Sequence, residues 1–153
     1  MARTDQRRIP VALIVIAVLL LIARFTSSPP EQKKGAIDWV TPEAGAVLAR
    51  DSGKPLLLFF TAEWCGPCHM LEDRVFADAA IAGRINERFV PVRVTDRIEE
   101  EGKNTPRVAE LKTRYAIRGF PTVVFTDGGG AEQARMEGFK GREEFVRVME
   151  HVR

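Results

Sequence analysis

Leu56-Leu57-Leu58-Phe59-Phe60-Thr61-Ala62-Glu63-Trp64-Cys65-Gly66-Pro67-Cys68-His69 is the stretch that decides the fold. Its first five residues are uninterrupted apolar side chains, as in a strand buried on both faces. Two cysteines three apart follow, and they are the only cysteines in the 153 residues. A disulfide scaffold would scatter more of them, so the pair reads as a reactive site and not a staple. The spacing predicts a helix opening near Gly66 and running towards Phe76, with Pro67 in the first turn, where its missing N–H costs nothing. A helix N-terminus presents unpaired N–H groups and a partial positive charge, and both favour a thiolate. Cys65, just ahead of that turn, is therefore expected to titrate at about 7 or below, against about 8.5 for a free cysteine. Cys65 is the expected nucleophile on a substrate disulfide, and Cys68, one turn further in, the thiol that resolves the mixed disulfide.

Working outward, Thr41-Pro42-Glu43 has the cap, proline and acid that open a helix, reaching about Arg50. Asp78 caps a second helical stretch after the cysteines, with Ile81, Ile85 and Phe89 on one face. Val90 to Val94 reads as a strand, 96–103 as a charged loop, and Thr105-Pro106 as the start of a helix to about Tyr115. Thr122 to Thr126 and residues 132–137 read as strands around the turn Asp127-Gly128-Gly129-Gly130, and a last helix opens at Gly141. Alternating strands and helices predict an α/β fold whose parallel sheet is covered on both faces, with an antiparallel edge from the final hairpin. Gly119-Phe120-Pro121-Thr122 leads into the third strand. An X-Pro bond at such a turn is a candidate for the cis form, which would turn backbone groups of Phe120 towards an incoming peptide.

The N-terminus has a different composition. Arg3, Arg7 and Arg8 precede 15 uncharged residues from Ile9 to Ala23, with Arg24 and Phe25 beyond. A cleaved signal peptide and an uncleaved anchor both fit a basic region before an apolar run. A cut after Ala23 would place Leu21 where a small residue is wanted, and a cut after Ser28 would place Pro29 immediately downstream, so the anchor is favoured. The expected organisation is a cytoplasmic basic segment over 1–8, a single membrane span over 9–25, a Pro-rich linker over 26–36 and one folded domain over 37–153, facing the extracytoplasmic side. The net charge is +2; four Arg and one Asp in residues 1–30 leave the remainder near neutral, which asks for no nucleic acid.

Three other chemistries compete for the cysteines. Zinc needs four ligands, and His69 and His151 are the only histidines to add. Cys65-Gly66-Pro67-Cys68-His69 also fits the C-x-x-C-H pattern of covalent haem attachment. That reading needs room for a large flat ring, and here the motif is fused to an apolar strand. A redox-inert adaptor would have little use for both cysteines with Gly-Pro between them. No metal is expected, and no cofactor beyond the Cys65–Cys68 pair.

Trp64-Cys65-Gly66-Pro67-Cys68 after an apolar strand, with Gly119-Phe120-Pro121-Thr122 downstream, resembles the thioredoxin superfamily. The resemblance covers about residues 36–153. Within the superfamily, Phe60 to Cys65, Val92 to Asp96 and Phe125 to Gly128 most resemble the C-terminal domain of DsbD-type thiol:disulfide interchange proteins. It implies a thioredoxin fold with a central mixed sheet, Cys65 as nucleophile, Cys68 as resolving thiol and Pro121 as the cis proline. Trp64, Gly66, Pro67, Phe120 and Thr122 are then expected to border the substrate, with Glu63 and His69 as possible modulators. The sequence departs from the family pattern at two positions. A buried Asp often stands six residues before the first Cys, where this chain has Phe59, and its Lys partner aligns with Val92. The expected activity is exchange with protein disulfides or dithiols. The Gly-Pro dipeptide resembles that of reducing thioredoxins, so reduction is the favoured direction and disulfide oxidation or isomerisation on the same site the alternative; an extracytoplasmic reductase implies a membrane-embedded thiol donor.

Overall fold

The computed structural model describes residues 37–152, so the basic segment 1–8, the anchor 9–25 and the linker 26–36 lie outside the described residues. Among the described residues no helix is long and apolar enough to cross a membrane.

The chain enters through Val40, which forms a parallel bridge to Val92, and continues into α1, Pro42–Ser52. Thr41 caps this helix by accepting the Ala44 N–H, and Gly53 ends it at φ 69°, a left-handed conformation that glycine adopts without penalty. Strand β1, Leu56–Ala62, is the apolar run, buried from Leu57 to Ala62. Helix α2, Gly66–Leu71, follows the cysteine turn and continues as a π-helical turn over Glu72–Phe76. Asp78 then accepts the N–H groups of Ala80 and Ile81 to open α3, Ala79–Arg88. Strand β2, Val90–Asp96, leads to a four-residue helix α4, Ile98–Glu101, and then to α5, Pro106–Arg114. Strands β3, Thr122–Thr126, and β4, Glu132–Glu137, precede α6, Arg142–His151.

The sheet order is β2-β1-β3-β4. Among the described strands only β1 and β2 pair in parallel; β3 is antiparallel to β1 and β4 to β3. The sheet is thus mixed, and the expectation of a parallel sheet holds for one pair of strands. The cause lies after α5. The Arg114 guanidinium and the Tyr115 hydroxyl both donate to the Gly130 carbonyl in the β3–β4 turn, so α5 ends at the far end of the sheet. Residues 116–121 carry the chain back, and Thr122 pairs with Phe60 near the C-terminal end of β1. Strand β3 must therefore run against β1.

Alternation along the strands divides the apolar side chains into two cores. Leu57, Phe59, Val123 and Phe125 pack with Leu71, Ile81, Ile85 and Phe145 beneath α2, α3 and α6, and both cysteines belong to this side. Leu58, Phe60, Val92, Val94 and Val124 pack with Ala49, Val108, Leu111 and Tyr115 beneath α1 and α5. The charged segment expected as a loop holds α4, whose residues are all exposed. Three consecutive glutamates carry no apolar periodicity that would mark it as a helix.

Candidate active site

Cys65 and Cys68 form a disulfide with Cα atoms 5.2 Å apart. Strand β1 delivers the pair. It ends at Ala62, and the Ala62 carbonyl accepts the Cys65 N–H, which closes the turn that carries Glu63 and Trp64. Cys65 is the N-cap of α2, and its Sγ accepts the Cys68 N–H at 3.2 Å. An N–H at a helix N-terminus aimed at sulfur is an electrostatic reason for a thiolate to be favoured on Cys65 once the disulfide opens. Cys68 is fully buried, while Glu63, Trp64, Gly66 and Pro67 around Cys65 are exposed. Cys65 itself is only 2% exposed, so the two sulfurs differ in position and not in cover: Cys65 caps the helix among exposed neighbours, and Cys68 lies one turn inside it.

The second motif lies alongside. The Phe120–Pro121 peptide bond is cis. Pro121 is buried, and its carbonyl accepts the Gly138 N–H at 2.8 Å, tying the turn to the end of β4. Thr122 is buried, and its hydroxyl donates to the Gly119 carbonyl across the same turn. The Phe120 and Trp64 rings meet edge to face with centroids 5.9 Å apart. The structure thus brings Trp64, at 53% exposure, and Phe120 together as an apolar rim beside the disulfide.

His69 and Glu63 meet through backbone. The His69 Nε2 lies 2.9 Å from the Glu63 carbonyl oxygen, a contact in which the nitrogen must donate. The Glu63 carboxylate instead pairs with Arg97 at 3.2 Å and remains largely in solvent. The sequence singled out Glu63 as the nearest carboxylate along the chain, but the fold brings another one close. Glu72, four residues after Cys68 and so one helical turn away, is half-buried and accepts a bond from Arg93 at 2.5 Å.

Arg93 also changes the reading of the two departures from the family pattern. Phe59 is buried on the cysteine side of the sheet, as its position predicts. Val92 pairs with Leu58 and lies in the opposite core, whereas Arg93 is the β2 residue that pairs with Phe59. The Arg93 guanidinium lies 5.5 Å from the Phe59 ring centroid and 5.2 Å from that of Trp39. The position facing the missing carboxylate is therefore Arg93, not Val92. Its acidic partner, Glu72, opens the π-helical turn that continues α2. Thr61, Ala62, Glu63, His69, Glu72, Arg93, Thr95 and Arg97 line a cleft of about 230 Å³ that gives water a way to this pair. No sequence signal marks Glu72 and Arg93 as partners, because strand register alone brings them together.

Asp96, at the end of β2, is 4% exposed. It pairs with Lys112 and accepts bonds from Asn104 Nδ2 at 2.9 Å and from the Ile98 N–H at 3.1 Å. Burial pushes its pKa up, but the bonds from Lys112, Asn104 and Ile98 outweigh this and hold it below the ordinary value of 3.8. Among the described residues no group of three or more His, Cys, Asp and Glu side chains could hold a metal.

A family model described as a thioredoxin-like domain matches residues 43–153. The thiol:disulfide interchange protein DsbD of Yersinia pestis is 28% identical over 92% of this chain and 24% of its own length. DsbD of Salmonella paratyphi A is 31% identical over 90% of the chain and 25% of its own length. The chain thus spans about a quarter of the length of the curated relatives it matches. Among solved structures, the oxidoreductase DsbH superposes with a TM-score of 0.66 at 25% identity, covering 85% of this chain and 97% of the other. The oxidised C-terminal domain of Neisseria meningitidis DsbD superposes with a TM-score of 0.57 at 24% identity, covering 72% and 91%, a likeness of fold. The mixed sheet, the cysteine pair at the head of α2 and the cis proline beside it agree with these matches, and the chain belongs to the thioredoxin-like family.

Proposed function

We propose that this thiol–disulfide oxidoreductase reduces protein disulfides on the extracytoplasmic side of a membrane, through Cys65 and Cys68. The observation that carries the reading is the asymmetric pair: Cys65 caps the helix among exposed neighbours and its Sγ accepts the Cys68 N–H, while Cys68 lies one turn inside the helix. The reduced pair would attack with the Cys65 thiolate, forming a mixed disulfide and expelling one substrate thiolate. Cys68, after losing its proton, would attack Cys65 Sγ, close the intramolecular disulfide and release the second substrate thiolate. Two electrons pass to the substrate, and the Cys65–Cys68 disulfide must then be reduced again. The pair is its own redox centre and needs no other cofactor. Trp64 and Phe120 offer the apolar border that polypeptide prefers, with Gly66, Pro67 and Thr122 completing the surroundings of the disulfide.

The direction and the setting belong to the same proposal. Residues 9–25 would anchor the domain, and a membrane-embedded thiol protein would supply electrons, in keeping with the kinship to DsbD. Insulin reduction by the dithiol-charged protein tests the activity: Cys65→Ser should abolish it, and Cys68→Ser should accumulate mixed disulfides. Turnover retained by Cys65→Ser would sink the mechanism. The reduction potential tests the direction. Potentials on this architecture run from about −270 mV for reducing members to about −120 mV for oxidising ones. A value near the first supports the reductase, and a value near the second makes the protein a disulfide donor or isomerase.

A further inference from the structure

We propose that Lys112 is a positioning residue for polypeptide substrates: from α5 it fixes the Phe120 ring, and with it the apolar rim beside the disulfide. The inference rests on the reading that Cys65 performs the exchange and that Phe120 borders the substrate.

Lys112 lies far from the cysteines in sequence, and its side chain is 23% exposed. Its ammonium has two partners. One is the Asp96 carboxylate, itself nearly buried and held by Asn104 and the Ile98 N–H. The other is the Phe120 ring, whose centroid is 5.4 Å from Nζ. An ammonium at that distance is attracted by the negative π-face of an aromatic ring. The same ring meets Trp64 and belongs to the residue whose peptide bond to Pro121 is cis. A continuous set of contacts therefore runs from the end of β2 through Asp96, Lys112 and Phe120 to Trp64, the neighbour of Cys65.

Stability alone gives a weak reason for this arrangement. Desolvating an ammonium and a carboxylate is expensive, and apolar side chains of similar volume often pack as well or better. A half-buried cation under the rim does what an apolar replacement cannot. Asp96 is anchored by two other donors, Asn104 and the Ile98 N–H, so the ammonium is fixed in place, and the ring above it is fixed in turn. An unclamped phenylalanine at a half-exposed turn would sample several rotamers, and a polypeptide would have to order it on binding. The ligand class implied is an extended polypeptide with an apolar side chain near its disulfide. A small disulfide that reaches only Cys65 gains little from the clamp.

The test compares insulin with a small aromatic disulfide, Ellman's reagent, on the reduced full chain. Lys112→Met keeps the stem and removes the charge. It should raise KM for insulin about three- to tenfold, with kcat and the rate with the small disulfide changed less than twofold. Lys112→Arg, which keeps a cation, should restore most of the loss. Phe120→Leu should raise KM by a similar factor, and Lys112→Met added to it should do nothing more, since the clamp has lost its object. Because Lys112→Met strands a buried carboxylate, the pair Asp96→Asn with Lys112→Met serves as a second variant and should show the same KM effect. The proposal falls if insulin KM stays at the wild-type value in both, if the small disulfide slows in parallel, or if Lys112→Met adds its full effect to Phe120→Leu. A wild-type protein that reduces neither disulfide would instead overturn the oxidoreductase reading itself.

Discussion

The resolving thiol poses the sharpest question at the scale of single residues. Cys68 is fully buried, and its sulfur must lose a proton before it can attack Cys65. The residue six before Cys65 is Phe59, which cannot accept that proton, so the carboxylate must come from elsewhere. Three are near along the chain, Glu63, Glu72 and Asp73, and Asp73 is exposed. Both Glu63 and Glu72 line the water-accessible cleft, but Glu63 faces solvent and Arg97, whereas Glu72 is half-buried and stands one helical turn beyond Cys68. Glu72→Gln should therefore slow release of substrate from a preformed mixed disulfide on Cys65, by tenfold or more on the usual scale of general-base effects of about 10²–10⁴. Glu63→Gln should leave that step within about twofold, the outcome expected for an exposed ion pair. Stopped-flow measurement of thiol release from the Cys65 adduct separates the two, and equal rates for Glu72→Gln and wild type would remove Glu72 from the proton route. The cysteines, Trp64, Phe120 and Pro121 were legible because each belongs to a contiguous motif. Glu72, Arg93 and Lys112 were not, because strand register and helix packing bring them to the site from positions with no local signal.

At the scale of elements, apolar periodicity and caps located nearly everything. The helices begin where Thr41, Asp78 and Thr105 cap them, and β1 lies on the apolar run. Two features escaped the sequence. The direction of β3 depends on how far residues 116–121 travel after α5, which composition does not encode. The π-helical turn after α2, closed by the Ala77 N–H to the Glu72 carbonyl, likewise has no marker, though it lets the adjacent Val75 and Phe76 both face the core. Packing of α1 on the sheet gives a measurable consequence. A Cβ built on Gly45 would lie 2.3 Å from Val92 Cγ2, and Val92 is buried and β-branched, so it has little room to move. Gly45→Ala would normally stabilise a helix interior by roughly 0.5–1 kcal/mol. Here overpacking, which costs about 1–3 kcal/mol, should win and lower the melting temperature by several degrees. An unchanged or higher Tm would mean that α1 can move off β2 at no cost.

For the molecule as a whole, two carboxylates tie distant elements together, and both do so more strongly while ionised. Asp78 caps α3 and pairs with Arg142 of α6 at 2.6 Å; Asp96 joins the end of β2 to α5 through Lys112. The bond from the Ile81 N–H holds Asp78 below the ordinary value of 3.8, desolvation opposes it, and Arg142 and the Ala80 N–H add to the lowering. Asp96 is held below the same value for the reasons already given. A carboxylate with a lower pKa in the folded state than in the unfolded chain binds fewer protons when folded. Its contribution is therefore fully present above the unfolded value and is lost as pH falls through the lowered folded value. The domain should hold its stability from neutral pH to about 5 and then lose it progressively through pH 4 and below. Asp96→Asn isolates one part of that loss. At pH 7 the variant lacks a charge that the wild type has, leaving Lys112 with no carboxylate beneath Phe120, and its Tm should be lower. As pH falls through the lowered folded-state value the wild-type Asp96 becomes protonated as well, so the two melting temperatures should converge. Thermal melts of both proteins followed by circular dichroism across this range decide the point. A gap that never narrows as the solution is acidified would mean that Asp96 stabilises the fold through its shape and neutral hydrogen bonds, and that the ion pair beneath the rim contributes nothing of its own.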